Sequence, residues 1–180
     1  MKYTFYLFVF ILLFPRIKAS AQENLQLPNP GFEEELSGWS VSEAHDRGMS
    51  RVTEEAARNG QGGLQIEDRD TAFGSSAFSS YLPASAGRRY QMRFWARNRE
   101  GTGVGVYLVF YDAKRQPLNR VELKNENFLK IPDGTSDWKL FRLEGDAPEG
   151  TERLRIWIHS AKATTGVSDI DDFTVVELEN

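Results

Sequence analysis

Short runs of alternating side chains recur along this chain, and no long run has a helical period. The clearest run is residues 90–97. Tyr90, Met92, Phe94 and Ala96 fall on one side of an extended chain, and Gln91, Arg93, Trp95 and Arg97 on the other. Successive strand side chains point to opposite faces, so the first set reads as core and the second as surface. Residues 104–111 are apolar on both sides, with Tyr107 and Tyr111 opposite Leu108 and Phe110, as a central strand would be. Residues 154–159 set Leu154, Ile156 and Ile158 against Arg155, Trp157 and His159. Further runs at 63–67, 76–82, 138–143 and 173–176, with shorter ones near 41–43, 50–53 and 121–123, bring the count to about ten strands. Helix is expected only as a turn at 54–58. Asn59-Gly60, Pro83, Pro132-Asp133-Gly134 and Asp146 to Gly150 are the turn signals. Evenly spaced short strands with little helix predict an all-β protein, an antiparallel β-sandwich.

The last run brings in an acid. Asp169, Asp171 and Asp172 precede Phe173 to Val176. Strict alternation places Asp171 on the face of Phe173 and Val175, at the edge of a core. A buried carboxylate there needs a partner or a cation.

Residues 1–21 read as an export signal. Lys2 is the basic start, residues 5–14 are apolar but too short to span a bilayer comfortably, and Ala19-Ser20-Ala21 suits cleavage. Arg16 and Lys18 sit awkwardly in such a signal, so an uncleaved anchor is the alternative. Cleavage takes three positive charges from a chain whose formal net charge is already −4. An acidic domain is a poor partner for nucleic acid. The remainder has the length of one domain, with residues 22–28 as a short tether and the sandwich at 29–179. No other run is long enough to cross a membrane. There is no cysteine, so a secreted domain would be stabilised by its core or by a metal rather than by disulfides. A monomer, extracellular or periplasmic, is expected.

Several of these segments occur in a familiar order. Asn29-Pro30-Gly31-Phe32-Glu33 with Gly38-Trp39 opens the domain. Arg58-Asn59-Gly60 leads to Gly63-Leu64, and residues 90–97 read YQMRFWAR. Ala147-Pro148-Glu149-Gly150 precedes Leu154-Arg155-Ile156, and Ile170-Asp171-Asp172-Phe173 closes the series. Together they resemble the CenC-like carbohydrate-binding modules, the group of families 4, 9, 16 and 22, over essentially all of 29–178. The resemblance implies a galactose-binding-like jelly-roll sandwich and one structural Ca2+. It places that ion at Glu33 and Asp171, with backbone carbonyls near Asn29 and in the 59–62 turn, Gln61 included. Calcium takes six to eight hard oxygen ligands, which such a set would supply. The sequence departs from the family at Gly62-Gly63, where a bulkier residue and Ser are common.

Strand alternation yields a ligand hypothesis independent of the family. Arg93, Trp95 and Arg97, Tyr107 and Tyr111, and Arg155, Trp157 and His159 would share one face if their strands lie in one sheet. Aromatic rings offer flat surfaces to sugars, and arginine forks pair with planar anions. An acidic polysaccharide is therefore favoured. A loop from 112–137 folded over that face would instead bury the tryptophans. Two other candidates stand beside it: a site in the end loops 43–51 and 68–73, and a cell-envelope adhesion role through protein contacts. Trp39 and Trp138 read as structural. With His45 and His159 as the only histidines and no nucleophile or metal-ligating His pair, catalysis is not expected. The chain reads as an accessory module of a glycan-degrading system, free-standing or part of a longer product.

Overall fold

The computed structural model describes residues 23–118 and 127–179. The export-signal residues and the strand expected at 121–123 lie outside them. Twelve strands and one helical turn follow in order. They are β1 (Glu23–Leu25), β2 (Trp39–Val41), α1 (Glu43–Asp46), β3 (Ser50–Thr53), β4 (Gly63–Asp68), β5 (Ala77–Ser79) and β6 (Leu82–Pro83). Then come β7 (Arg89–Gly101), β8 (Gly105–Tyr111), β9 (Phe128–Lys130), β10 (Lys139–Asp146), β11 (Arg153–His159) and β12 (Gly166–Leu178).

They form two antiparallel sheets. The first runs β10-β7-β12-β4-β3, with β1 also on β12. The second runs β2-β5-β11-β8-β9, with β6 also on β11. The inward residues of both sheets make one core, including Met92 and Phe94 from the first and Leu108, Phe110 and Ile156 from the second. The fold class is as expected: an all-β jelly-roll sandwich.

Local expectations change in four places. The tether is part of the sandwich: Glu23, Asn24 and Leu25 pair with Glu177, Val176 and Val175, and Leu27 is buried. Residues 54–58 form a turn, and the helical turn lies at α1, closed by Asp46. The Asp46 carboxylate accepts from Ser50 N, Ser50 Oγ and Ser76 N. The expected strand at 76–82 is two short strands, because Ser80 N turns away to Gly38 O.

The fourth change bears on the acid. β12 carries a bulge between Asp171 and Thr174, where three steps oppose two from Trp95 to Arg93. Asp172 takes the extra step at φ 55°, a left-handed conformation that Asp adopts more readily than most residues. The alternation flips there. Asp171 pairs with Trp95 on the outer side, whereas Phe173 turns inward onto Phe32, Trp39 and Phe94, at ring centroid distances of 6.2, 5.3 and 5.2 Å. The expected shared face of Asp171, Phe173 and Val175 is thereby corrected, although Asp171 remains fully buried.

Phe173 joins three other aromatic rings in the core. Phe173→Ala is expected to cost about 3–5 kcal/mol of stability, read from urea denaturation. A loss below about 1 kcal/mol would show that the cluster contributes little.

Candidate functional site

The expected single row divides between the two sheets. Arg93, Trp95 and Arg97 are on β7 in the first; Tyr107, Tyr111, Arg155, Trp157 and His159 are on β8 and β11 in the second. Alternation predicted correctly that each faces outward. It could not tell that a core separates Trp95 from Trp157.

On the first sheet the outward groups are engaged with one another. The Arg58 guanidinium lies 3.6 Å from the Trp95 ring centroid and donates to Asp172 at 2.9 Å. Arg97 donates to buried Asp169 at 2.8 Å and to Glu55 O, and stacks over Trp138. Arg99 reaches the same Asp169 oxygen at 3.1 Å. Arg93 donates to Gln91. Arg51 pairs with Glu67, and Arg69 with Glu100. Trp95 therefore offers a ring already covered by a cation.

The second sheet is different. Cross-strand register sets Phe128, Tyr107, Trp157 and Phe78 on one rung across β9, β8, β11 and β5. Their rings are near-parallel: Phe128–Tyr107 at 4.4 Å and 27°, Tyr107–Trp157 at 4.6 Å and 30°, Trp157–Phe78 at 5.8 Å and 5°. His159 stacks on Trp157 at 4.7 Å. Rings stacked this way cover part of one another's faces, so this is a composite ladder rather than two open indoles. All four rings are half-buried. Gly105 makes room for it, since a Cβ there would lie 2.4 Å from the Phe128 ring and 2.8 Å from the Tyr107 ring.

The ladder is held from the sides. Trp157 Nε1 donates to Ser76 Oγ at 3.0 Å, and His159 Nδ1 to Ser75 O at 2.5 Å. A carbonyl only accepts, so His159 carries its proton on Nδ1. Arg155 donates to Ser79 O at 2.6 Å and Ser40 Oγ at 3.1 Å, with its guanidinium over Phe78 and Tyr81. Tyr111 meets Tyr81 edge-on at 5.2 Å. Burial raises the pKa values of Tyr107 and Tyr111, with nearby Arg155 opposing the shift at Tyr111, so both hydroxyls stay protonated donors at neutral pH. The sequence reading missed Phe78, Tyr81 and Phe128. Alternation marks Phe78 as outward-facing; nothing local reveals that it opposes Trp157.

The expected metal residues meet at the 58–62 turn. Asp171 Oδ2 accepts from Arg58 N at 2.8 Å and Asn59 N at 3.2 Å, while Glu33 Oε2 accepts from Gln61 N at 2.9 Å. Burial, with Asp172 adding to it, raises the Asp171 pKa against three backbone amides that lower it. A side chain starting at Gly31 would lie 3.5 Å from Asp171 Oδ1, 3.7 Å from Asp172 Oδ1 and 4.0 Å from Glu33 Oε1. Three carboxylates thus border one small space, and their oxygens are of the hard kind that calcium takes. Among the described residues no group of three or more acids or histidines stands in metal-holding geometry, so backbone carbonyls would have to complete the set. Asn29 has another task. Its carbonyl accepts from Trp39 Nε1 and Phe32 N, and its side chain is spent on Glu34, Glu35 and Ser37. These bonds organise the opening loop.

The end loops 43–51 and 68–73 border an open cavity lined by Arg47, Gly48, Met49, Glu67, Arg69, Asp70 and Thr71. Asp70 accepts from Ala72 N and Phe73 N, and Arg47 lies over Phe73.

Solved structures share this fold. A family 16 carbohydrate-binding module covers 83% of this chain and 98% of its own, with TM-score 0.61 and 16% identity. The fold is that of the jelly-roll carbohydrate-binding modules. A family 61 module of that fold, solved with β-1,4-galactotriose, covers 85% of this chain and 98% of its own, with TM-score 0.57 and 23% identity. The enzymatically active domain of bacteriophage CBA120 tailspike protein 4 covers 86% with TM-score 0.66 and 16% identity; the present chain spans 21% of that one. No protein-family model and no curated protein matches the sequence. Among the described residues, no helix is long and apolar enough to cross a membrane.

The buried acid of the first sheet gives a stability test. Asp169→Ala leaves Arg97 and Arg99 without their shared carboxylate. The guanidiniums keep 23% and 28% exposure, so the expected loss is about 2–3 kcal/mol, below that of a fully buried pair. Thermal denaturation measures it.

Proposed function

We propose that this protein is a non-catalytic module that binds polysaccharide across the outer face of its second sheet. The observation that carries the reading is the four-ring ladder of Phe128, Tyr107, Trp157 and Phe78. It runs across the strands for roughly 14 Å, three strand spacings, the scale of a short oligosaccharide. Stacked aromatic edges and partial faces offer apolar contact to sugar C–H groups. Tyrosine hydroxyls, His159 and Arg155 border them with hydrogen-bonding groups. Its jelly-roll fold is shared with modules named for carbohydrate binding. The outward strand positions of this sheet carry Lys130, which pairs with Asp133, and Arg153 and Arg155, which have no carboxylate partner among the described residues; the two arginines favour a chain bearing acidic groups. The signal-like residues 1–21 support work outside the cell, beside glycan-degrading enzymes.

The acid clamp supports a structural Ca2+. Glu33 and Asp171, with carbonyls of the turn at 59–62, would hold it. Bound there, the ion would neutralise the carboxylates that border Gly31 and fasten the opening loop to β12.

Affinity electrophoresis against a panel of neutral and acidic polysaccharides tests the binding. Retardation by at least one polymer is expected, and Trp157→Ala should abolish it while the protein stays folded by circular dichroism. Full retardation of that variant would move the site off the ladder. For the ion, calcium added to chelator-treated protein is expected to raise Tm, and Glu33→Ala should erase the increment. An unchanged Tm in the parent protein would remove the cation from the account.

A further inference from the structure

The cations of the two sheets are treated differently. On the first sheet most guanidiniums have a carboxylate: Arg58 has Asp172 at 2.9 Å, Arg69 has Glu100 at 2.7 Å, and Arg97 and Arg99 share Asp169. At one corner of the second sheet they do not. Arg155 is fixed by Ser79 O and Ser40 Oγ, and Arg153 donates to Ala113 O. Arg115 sits in a left-handed turn (φ 62°) with its guanidinium carbon 5.2 Å from the Tyr81 ring centroid. That of Arg155 is 4.6 Å from the same centroid. Two cations therefore share one aromatic ring. Among the described residues none of the three arginines has a carboxylate in ion-pair contact. The nearby acid, Asp112, accepts from Gln116 N and so holds its own turn.

This arrangement has a physical cost. Two positive charges border one ring, and Arg155 is locked in one orientation by two hydrogen bonds and two rings. Its Nη1 group makes no hydrogen bond among the described residues, and the Arg115 guanidinium makes none either. A chain with a formal net charge of −4 has acids to spare, yet among the described residues none pairs with these arginines. An oxyanion at this corner would meet the pre-oriented fork of Arg155 and the charge of Arg115, with charge-assisted hydrogen bonds from both.

We infer that the corner around Tyr81, with Arg115 and Arg155 as its forks, is an anion subsite that reads a carboxylate or sulfate group on the bound polysaccharide. The inference rests on the ladder as the glycan site and adds where, and by which side chains, the acidic group is recognised. Arg155 ties the two together, since its guanidinium lies over both Tyr81 and the ladder residue Phe78. Arg153 adds a further positive charge on the Tyr111 rung.

The test is titration calorimetry of the full chain with polygalacturonate, its carboxyl-reduced polymer and a sulfated galactan, at two ionic strengths. At least one acidic polymer should bind about tenfold or more tightly than the reduced one, with an advantage that shrinks as salt rises. Arg115→Gln and Arg155→Lys should each collapse the acidic-to-reduced affinity ratio toward one. Arg142→Gln, an arginine of the first sheet, should leave it intact. A gain confined to the uronate polymer assigns the subsite to carboxylate, and one confined to the galactan assigns it to sulfate. Equal binding of acidic and reduced polymers, or a ratio unmoved by both corner variants, overturns the subsite while the ladder reading stands. No binding of any polymer overturns the ladder and the subsite with it.

Discussion

The bulge at Asp172 is the constraint on which much else depends. β12 is the spine of the first sheet, paired with β7 on one side and with β4 and β1 on the other. One extra residue in it lets two neighbouring side chains serve different layers. Asp171 reaches out to the amides of Arg58 and Asn59, and Phe173 turns in to the rings of Phe32, Trp39 and Phe94. The opening loop, the second turn and the last strand are thereby joined, although they are far apart in sequence. Without the bulge, one of the two side chains would face the wrong layer.

The two outer faces show two ways of placing charge. On the first sheet, arginine and carboxylate alternate across strands and neutralise each other, and Arg58 even covers Trp95. Such a face is stabilised and solvated but has few groups left to offer. On the second sheet, arginines are held by carbonyls, a serine hydroxyl and aromatic rings. Carbonyl contacts orient a guanidinium without cancelling its charge. The same residue type thus has its charge neutralised on one face and held in place without a carboxylate on the other.

The strands and the core were legible in the sequence, because apolar alternation is a local signal. Residues 90–97 and 154–159 appear in β7 and β11 with the expected faces. The order of turn motifs pointed to the jelly roll. The site was legible only in part. Trp157, Tyr107 and Arg155 were correctly read as outward-facing, but Trp95 was grouped with them across a core. Phe128 lay hidden in a long polar connection, and Phe78 in a short run whose partner strand begins some eighty residues later. The hydrogen bonds by which Asn29 organises its own loop were not legible either, because they depend on the loop's folded path.

The sequence by itself determined an all-β chain, which side chains of each strand face out, and a chemistry of aromatic rings, arginines and turn acids. These follow from period and residue type, which need no knowledge of neighbours. Only the tertiary structure decided which outward residues meet. Sheet order separated Trp95 from Trp157, register built the ladder from four different strands, and the bulge sent Asp171 outward while Phe173 went in. Strand pairing is a long-range choice made by the whole core, and a one-residue insertion in one strand reverses every side chain beyond it.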